Sequence, residues 1–404
     1  MLTMLYLAIL LFLMILSFHY DICGRTKYKS RWYGIVLLVF ILFAGLRWRV
    51  GIDTMRYLYS FYHDYPSLSK FSFKEYGLGK DPLFVLINSF VRSIGGRFYV
   101  VQLIQATFVN ILILNYFKRH SKYIFTCCLF YYLLSYVSFT MEIMRASFSI
   151  VISLYAFDYF IEKKWLKGYL LLMIAAMFHA QTLVLFIVPA FLSLRLNKKG
   201  LLILVGVYIL GIFLQDIVAN YIPLFDGNDA IARKMSSYTS ETSSYGRNTN
   251  NINYYIFNLV PKIIYPLFAI WHTKRNQHDE TEADLMRLEP FVLLGVAFVL
   301  IQIHFIIAYR YVEYFTIYFA IYYAETCVGM VANRRKIRID MSYLKTMIIF
   351  FPIMLSLVYF ITFKSPRYIY SSVLNRTIIK KKEAQFRDYS IRDNSYSFPD
   401  YNEY

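Results

Sequence analysis

About twelve apolar stretches, many of them close to the roughly 20 residues that carry an α-helix across a bilayer, alternate with short polar connections along this chain. They run over 2–18, 32–46, 98–117, 123–140, 143–161, 166–180, 182–196, 200–220, 254–272, 289–308, 311–331 and 343–363. With 58% of its 404 residues hydrophobic, the chain is too apolar for a soluble domain of this size. An all-α, polytopic integral membrane protein is expected, with about 12 transmembrane helices in a single domain over 1–363 and a basic C-terminal tail over 364–404. The first stretch lacks a basic n-region and a small-residue cleavage site, so it reads as a retained span rather than a signal peptide. Cys23, Cys127, Cys128 and Cys327 have neither the spacing of a zinc site nor the pattern of a disulfide framework.

The formal charge of +18 does not point to nucleic acid, because the positive residues cluster in short loops between apolar stretches. Lys118-Arg119, Lys163-Lys164, Lys198-Lys199 and Arg334-Arg335-Lys336 all belong on the cytoplasmic side by the positive-inside rule. Two consequences follow. Residues 82–95, with Asn88 and Arg92, form a short interfacial or re-entrant helix that does not cross, and 166–196 is a hairpin of two short helices turning near His179. Loops 47–81 and 221–253 then lie outside. The tail, with Lys380-Lys381-Lys382, also falls outside, which the charge rule disfavours only weakly for a long terminal segment. Aromatic residues, including 39 Tyr and 36 Phe, flank many stretches as interfacial belts do, although aromatic platforms also suit a sugar-handling protein.

The same topology gathers polar residues of the apolar stretches at the outer face. A charge in hydrocarbon costs a few kcal/mol, so such residues face a cavity or one another. Arg47 and Arg49, followed by Gly51 and Asp53, are either snorkelling anchors or a bidentate grip on a diphosphate. Glu142 and Arg145 are spaced to pair along one helix start, yet a cation in a first helical turn opposes the dipole and calls for an anionic partner. His179, with Gln181 beside it, sits at the hairpin tip as either a core histidine or an acid–base group. Arg310 among Tyr309, Tyr311 and Tyr314 is a belt arginine or an anion grip with stacking surfaces. Lys262, after Pro261, is a midplane counter-ion or a snorkelling residue. There is no Walker A loop, no G-x-S-x-G, no H-E-x-x-H and no CxxC pair, and so no support for an ATP-driven pump or a metalloprotease.

The order Arg49, Gly51, Asp53, Tyr57 (Arg-x-Gly-x-Asp-x-x-x-Tyr) after the second stretch resembles the EpsG-like, Wzy-type bacterial polysaccharide polymerases. So do the Arg145-Ala146 helix start, the segment Ala175-Ala176-Met177-Phe178-His179 and the late Arg310-x3-Tyr314, over residues 30–330. The family reads like I-R-Q and A-x-x-F-H-x-S where this chain has Met144-Arg145-Ala146 and Ala175 to Thr182, so the Gln and Ser positions differ.

The resemblance implies a bacterial inner-membrane enzyme with a fold related to the GT-C-like glycosyltransferases and a cavity open to the periplasm or outside. Its reaction joins polyprenyl-diphosphate-linked oligosaccharide repeat units by glycosyl transfer. Arg145 and Arg310, supported by Arg47, Arg49 and Lys262, are assigned to the diphosphate. Asp53, Glu142 and His179 are the candidate bases, and Tyr57, Gln181, Tyr311 and Tyr314 are assigned to sugar. No cofactor and no metal is expected. The partners expected are the lipid-linked oligosaccharide, membrane lipid and a chain-length regulator protein. A glycan ligase on the same carrier remains open, as does a flippase for lipid-linked oligosaccharide. Alternating access would spread functional charge through both membrane halves, whereas here it gathers on one side.

Overall fold

The computed structural model describes residues 3–48, 50–51, 53–77, 80–221, 260–275, 280–332, 370, 372 and 374. Among these, the regular structure is helical apart from one isolated bridge. Four helical segments, Leu5–Ile22, Phe98–His120, Met144–Ile161 and Leu285–His304, are long and apolar enough to cross a membrane. The expected loop 221–253 from 222 on, the stretch 343–363, the loop 332–340 from 333 on and most of the tail lie outside the described residues. The chain divides into two compact units, Met1–Ile187 with Phe360–Tyr404, and Val188–Tyr359.

In the first unit, α1 (Thr3–Leu16) continues into a π-helical turn, Ser17–Ile22, and α2 spans Lys29–Gly45. A Cβ at Gly45 would lie 3.0 Å from the Leu103 Cα, so its absence lets α2 close on α5 (Phe98–His120), as small residues do between membrane helices. Between them come α3 (Thr54–His63) and α4 (Pro82–Ser93). At 12 residues and about 1.5 Å per residue, α4 is too short to span, as its place in the charge pattern requires. It begins with Pro82 in the first turn, where a missing N–H costs nothing.

The stretch expected as one helix over 123–140 is α6 (Ile124–Tyr131) followed by π-helical turns over Tyr132–Tyr136 and Ser138–Glu142. The wide turns rotate the chain into the break at Ile143, from which α7 (Met144–Ile161) starts. Then α8 (Trp165–Phe178) ends at His179, whose backbone is extended, and a 3₁₀ helix, Ala180–Phe191, follows. The Phe186 ring stacks on Tyr169 at 5.4 Å. The chain has therefore doubled back at His179, as the hairpin reading requires.

In the second unit, α9 (Lys198–Tyr221), α10 (Tyr265–Arg275), α11 (Glu280–His304) and α12 (Thr316–Ala332) pack against one another. Glu289 of α11 is fully buried, and its Oε1 is met by Lys274 at 2.6 Å and by the Leu196 amide at 2.5 Å, which offsets part of the cost of burying a carboxylate. The first unit uses the same device at Asp21, which accepts from the Thr126 amide at 2.7 Å and pairs with Lys29 at 3.4 Å.

Candidate functional site

One apolar cluster brings polar residues of the first unit together. Tyr57, Leu58 and Phe61 of α3, Phe84 and Val91 of α4, Phe98 and Val101 of α5, Met144 and Phe148 of α7, and Ala175 and Phe178 of α8 form a continuous buried core. Phe148 stacks on Phe178 at 4.8 Å, and Phe84 meets the edge of Tyr57 at 5.7 Å. The functional candidates are sequence neighbours of these anchors. Arg145 follows Met144, His179 follows Phe178, and Asp81 lies three residues before Phe84.

Arg145 is held in the first turn of α7. Ser147 donates to the Met144 carbonyl oxygen at 2.8 Å, and Gln105 of α5 donates to both Ser147 Oγ (2.8 Å) and the Phe139 carbonyl (3.0 Å). The anionic partner that the helix dipole calls for is Asp81, with Arg145 Nη1 donating to Oδ2 at 2.6 Å. The sequence reading had offered Glu142 as that partner. Glu142 ends the π-helical turn instead, and its charge acts on Tyr6.

Asp81 was not anticipated. It stands at the N-cap of α4, where an Asp side chain normally bonds an amide of the first turn. Here it makes no such bond. Its other oxygen, Oδ1, accepts from the Ala180 amide at 3.2 Å and lies 3.8 Å from His179 Nδ1. Its backbone is left-handed (φ 52°), which Asp tolerates better than most residues, and a following proline disfavours the ordinary helical alternative. The side chain is thus turned away from its own helix and toward the Arg145 guanidinium and the His179 imidazole.

His179 Nε2 lies 3.1 Å from Gln181 Oε1, so those two candidates are neighbours. The Arg145 guanidinium lies over the Tyr57 ring at 5.6 Å. Burial holds the Tyr57 phenol above its usual range, with the Arg145 charge opposing, and Asp53, immediately before α3, also acts on that phenol. Tyr65, in the loop after α3, is pushed up to about 12, chiefly by burial. Gly51 adopts φ 103°, and a Cβ there would collide with the Met141 carbonyl oxygen. Thr54 Oγ1 donates to that oxygen at 3.1 Å, so the Gly-x-Asp segment is seated on the turn that carries Glu142. Arg47 is fully buried, with Nη1 donating to the Ala44 carbonyl oxygen at 2.6 Å. Arg49 lies outside the described residues.

The remaining candidates belong to the second unit. Lys262 sits in a π-helical turn, Val260–Ile264, and its charge acts on the carboxylate of Glu313. Arg310 occupies a single helical turn, Tyr309–Val312, with its guanidinium 5.9 Å from the Tyr309 ring centre. Tyr311 stacks on Phe298 at 5.2 Å, and Tyr314 is buried. A buried tyrosine ring belongs to the packing of this unit, so Tyr314 is a poor sugar platform as it stands. Among the described residues no cluster of three or more His, Cys, Asp or Glu side chains is arranged to hold a metal ion.

Chemically, the first-unit site offers a guanidinium with a forked donor geometry, an imidazole with a carboxylate oxygen 3.8 Å from its Nδ1, and a carboxamide beside that imidazole. Comparison with curated proteins and with solved structures finds no match. The profile of the EpsG family matches residues 30–373, which takes in every residue of this site. The chain belongs to the EpsG family, the family of Wzy-type polysaccharide polymerases.

Proposed function

We propose that this protein joins polyprenyl-diphosphate-linked oligosaccharide repeat units by glycosyl transfer at the outer face of the bacterial inner membrane, within a GT-C-like bundle of about 12 spans. Family membership supports the polymer chemistry. The observation that carries the assignment of residues is the convergence of Arg145, Asp81 and His179 from three helices.

In this reading the growing chain on its lipid diphosphate is the donor. A sugar hydroxyl of the incoming lipid-linked unit attacks the donor's anomeric carbon, forming the new C–O bond as the bond to the diphosphate breaks. The diphosphate leaves with the electron pair, and its developing charge is met by Arg145. The proton of the attacking hydroxyl passes to a base. Of Asp53, Glu142 and His179, the geometry favours His179. Gln181 Oε1 accepts from Nε2–H in the resting site; once a sugar hydroxyl replaces that contact, Asp81 facing Nδ1 would hold the proton on that nitrogen and leave Nε2 to take the proton of the hydroxyl.

A deletion strain tests the reading. Loss of long glycan with single repeat units still reaching the surface is the expected result. Absence of even single units outside would make the protein a flippase. Normal polymer left unattached to its final acceptor would make it a ligase.

A further inference from the structure

The helices α2 and α5 run antiparallel and stay in step. Near one end of the pair, Tyr33 donates its phenol proton to Asn115 Oδ1 at 3.0 Å, and near the other Gly45 closes on Leu103. Tyr33 and Gly45 are as far apart along α2 as Leu103 and Asn115 are along α5. In that register Arg31 comes level with Phe117 and Lys118, and Leu38 with Asn110 and Ile111. One side of the seam is closed by α6, whose Tyr131 meets the Phe40 ring of α2 at 5.9 Å and donates to Asn110 Oδ1 of α5 at 3.4 Å. Two residues to either side of Phe40, Leu38 and Leu42 fall on the opposite face of α2, together with Arg31. The matching face of α5 carries Ile111, Asn115 and Lys118. All six of these side chains are exposed.

This exposed strip is graded from charge to hydrocarbon. At its polar end, Lys118 Nζ lies 5.9 Å over the Tyr33 ring and the Arg31 guanidinium 5.2 Å over the Tyr28 ring. Lys29 Nζ donates to the Lys122 carbonyl oxygen at 3.2 Å and so ties the start of α2 to the chain beyond α5. Lys29 has an acidic partner in Asp21, but among the described residues no carboxylate pairs with Arg31 or Lys118. Arg31 also stands in the first turn of α2, which holds no acidic residue and where a cation opposes the helix dipole. Tyr33 occupies Asn115 Oδ1, which leaves the Nδ2 protons of that carboxamide as donors. At 1.5 Å per residue, the strip turns apolar about 6–8 Å further on, at Leu38 and Ile111, and continues so to Leu42.

We propose that this strip binds an anionic phospholipid. Its phosphate sits between Arg31 and Lys118, Asn115 Nδ2 donates to a phosphate or ester oxygen, and an acyl chain lies along Leu38, Leu42 and Ile111. The charge pattern places this end of the seam on the cytoplasmic side, where basic residues between paired membrane helices suit anionic headgroups. Snorkelling alone would carry two cations toward water, but it would not set an amide donor and an apolar track beneath them in one register. An acidic peptide would match the cations and leave the apolar track unmatched. The site uses none of the residues assigned to glycosyl transfer and does not depend on that reading.

Native mass spectrometry of the full-length protein, titrated with phosphatidylglycerol and with phosphatidylcholine of the same acyl chains, tests the proposal. The wild type should bind one phosphatidylglycerol at least tenfold more tightly than phosphatidylcholine. Arg31→Gln/Lys118→Gln should erase that preference. Lys163→Gln/Lys167→Gln, which removes the same charge between α7 and the first turn of α8, should keep it. All four substituted side chains are exposed, so both variants should fold alike. Equal affinity for the two lipids overturns the proposal, and so does an equal loss in both double variants, which would reduce the effect to a general basic field. Glycerol 1-phosphate should bind at least tenfold more weakly than phosphatidylglycerol. If it binds as tightly, the site takes free anions and the lipid assignment falls.

Discussion

Asp81 and Arg145, 64 residues apart in sequence, meet at 2.6 Å, and the same carboxylate reaches toward His179 from its other oxygen. An arginine with a fixed counter-ion is pre-oriented, which is the condition for stabilising charge that develops only in a transition state. Asp81→Asn and Arg145→Lys should each reduce polymer synthesis by about two orders of magnitude, roughly 2–4 kcal/mol, at near-normal protein abundance. Lysine should not rescue, since an ammonium lacks the forked contact, and Arg310→Lys should behave alike. The Asp81→Asn/Arg145→Lys double variant should be little worse than either single one, because the two residues act as a unit. Glycan length measured together with protein level checks this. Full-length polymer from Arg145→Lys at normal abundance would remove the arginine-grip mechanism.

His179→Ala separates chemistry from packing. A base acts on the acceptor hydroxyl only, so binding of lipid-linked substrate should stay near wild type while polymer is lost. A packing role predicts the opposite pattern, with poor accumulation and full activity per molecule. Titrating purified variant protein with lipid-linked substrate, alongside polymer yield, distinguishes the two.

The topology can be read from intact cells. An impermeant thiol reagent should not label a cysteine placed at Lys118, Lys198 or Arg335, and should label one placed in 221–253. Labelling at Lys118 would mean that the short helix Pro82–Ser93 crosses after all.

Much of this was legible because membrane spans punish polar residues. Arg145 and His179 stood out as ionisable groups beside apolar runs, and the break at His179 followed from placing Lys198-Lys199 on the same side as Lys163-Lys164. Asp81 was not legible. It lies in a polar loop beside Lys80, in a sequence setting that reads as an ordinary cap before Pro82, and its partners come from helices 64 and 99 residues further on. The π-helical turns over Tyr132–Glu142 were equally hidden, since an apolar run looks alike whether its hydrogen bonds close four or five residues back. The Ser372 bridge depends on a partner at Arg47, and no local pattern encodes so distant a pairing.

The internal counter-ion also bears on turnover. Because Arg145 already holds Asp81, the diphosphate of the proposed substrate would not meet a naked cation but would exchange with a carboxylate that is never far away. Binding becomes a swap of anions, and its strength is a difference between two similar contacts. The spent lipid diphosphate, which keeps every charge that the donor used to hold on, can then be displaced by a residue of the protein itself. In the proposed reaction, a site that acts repeatedly on one lengthening chain would gain more from such ready release than from a tighter grip.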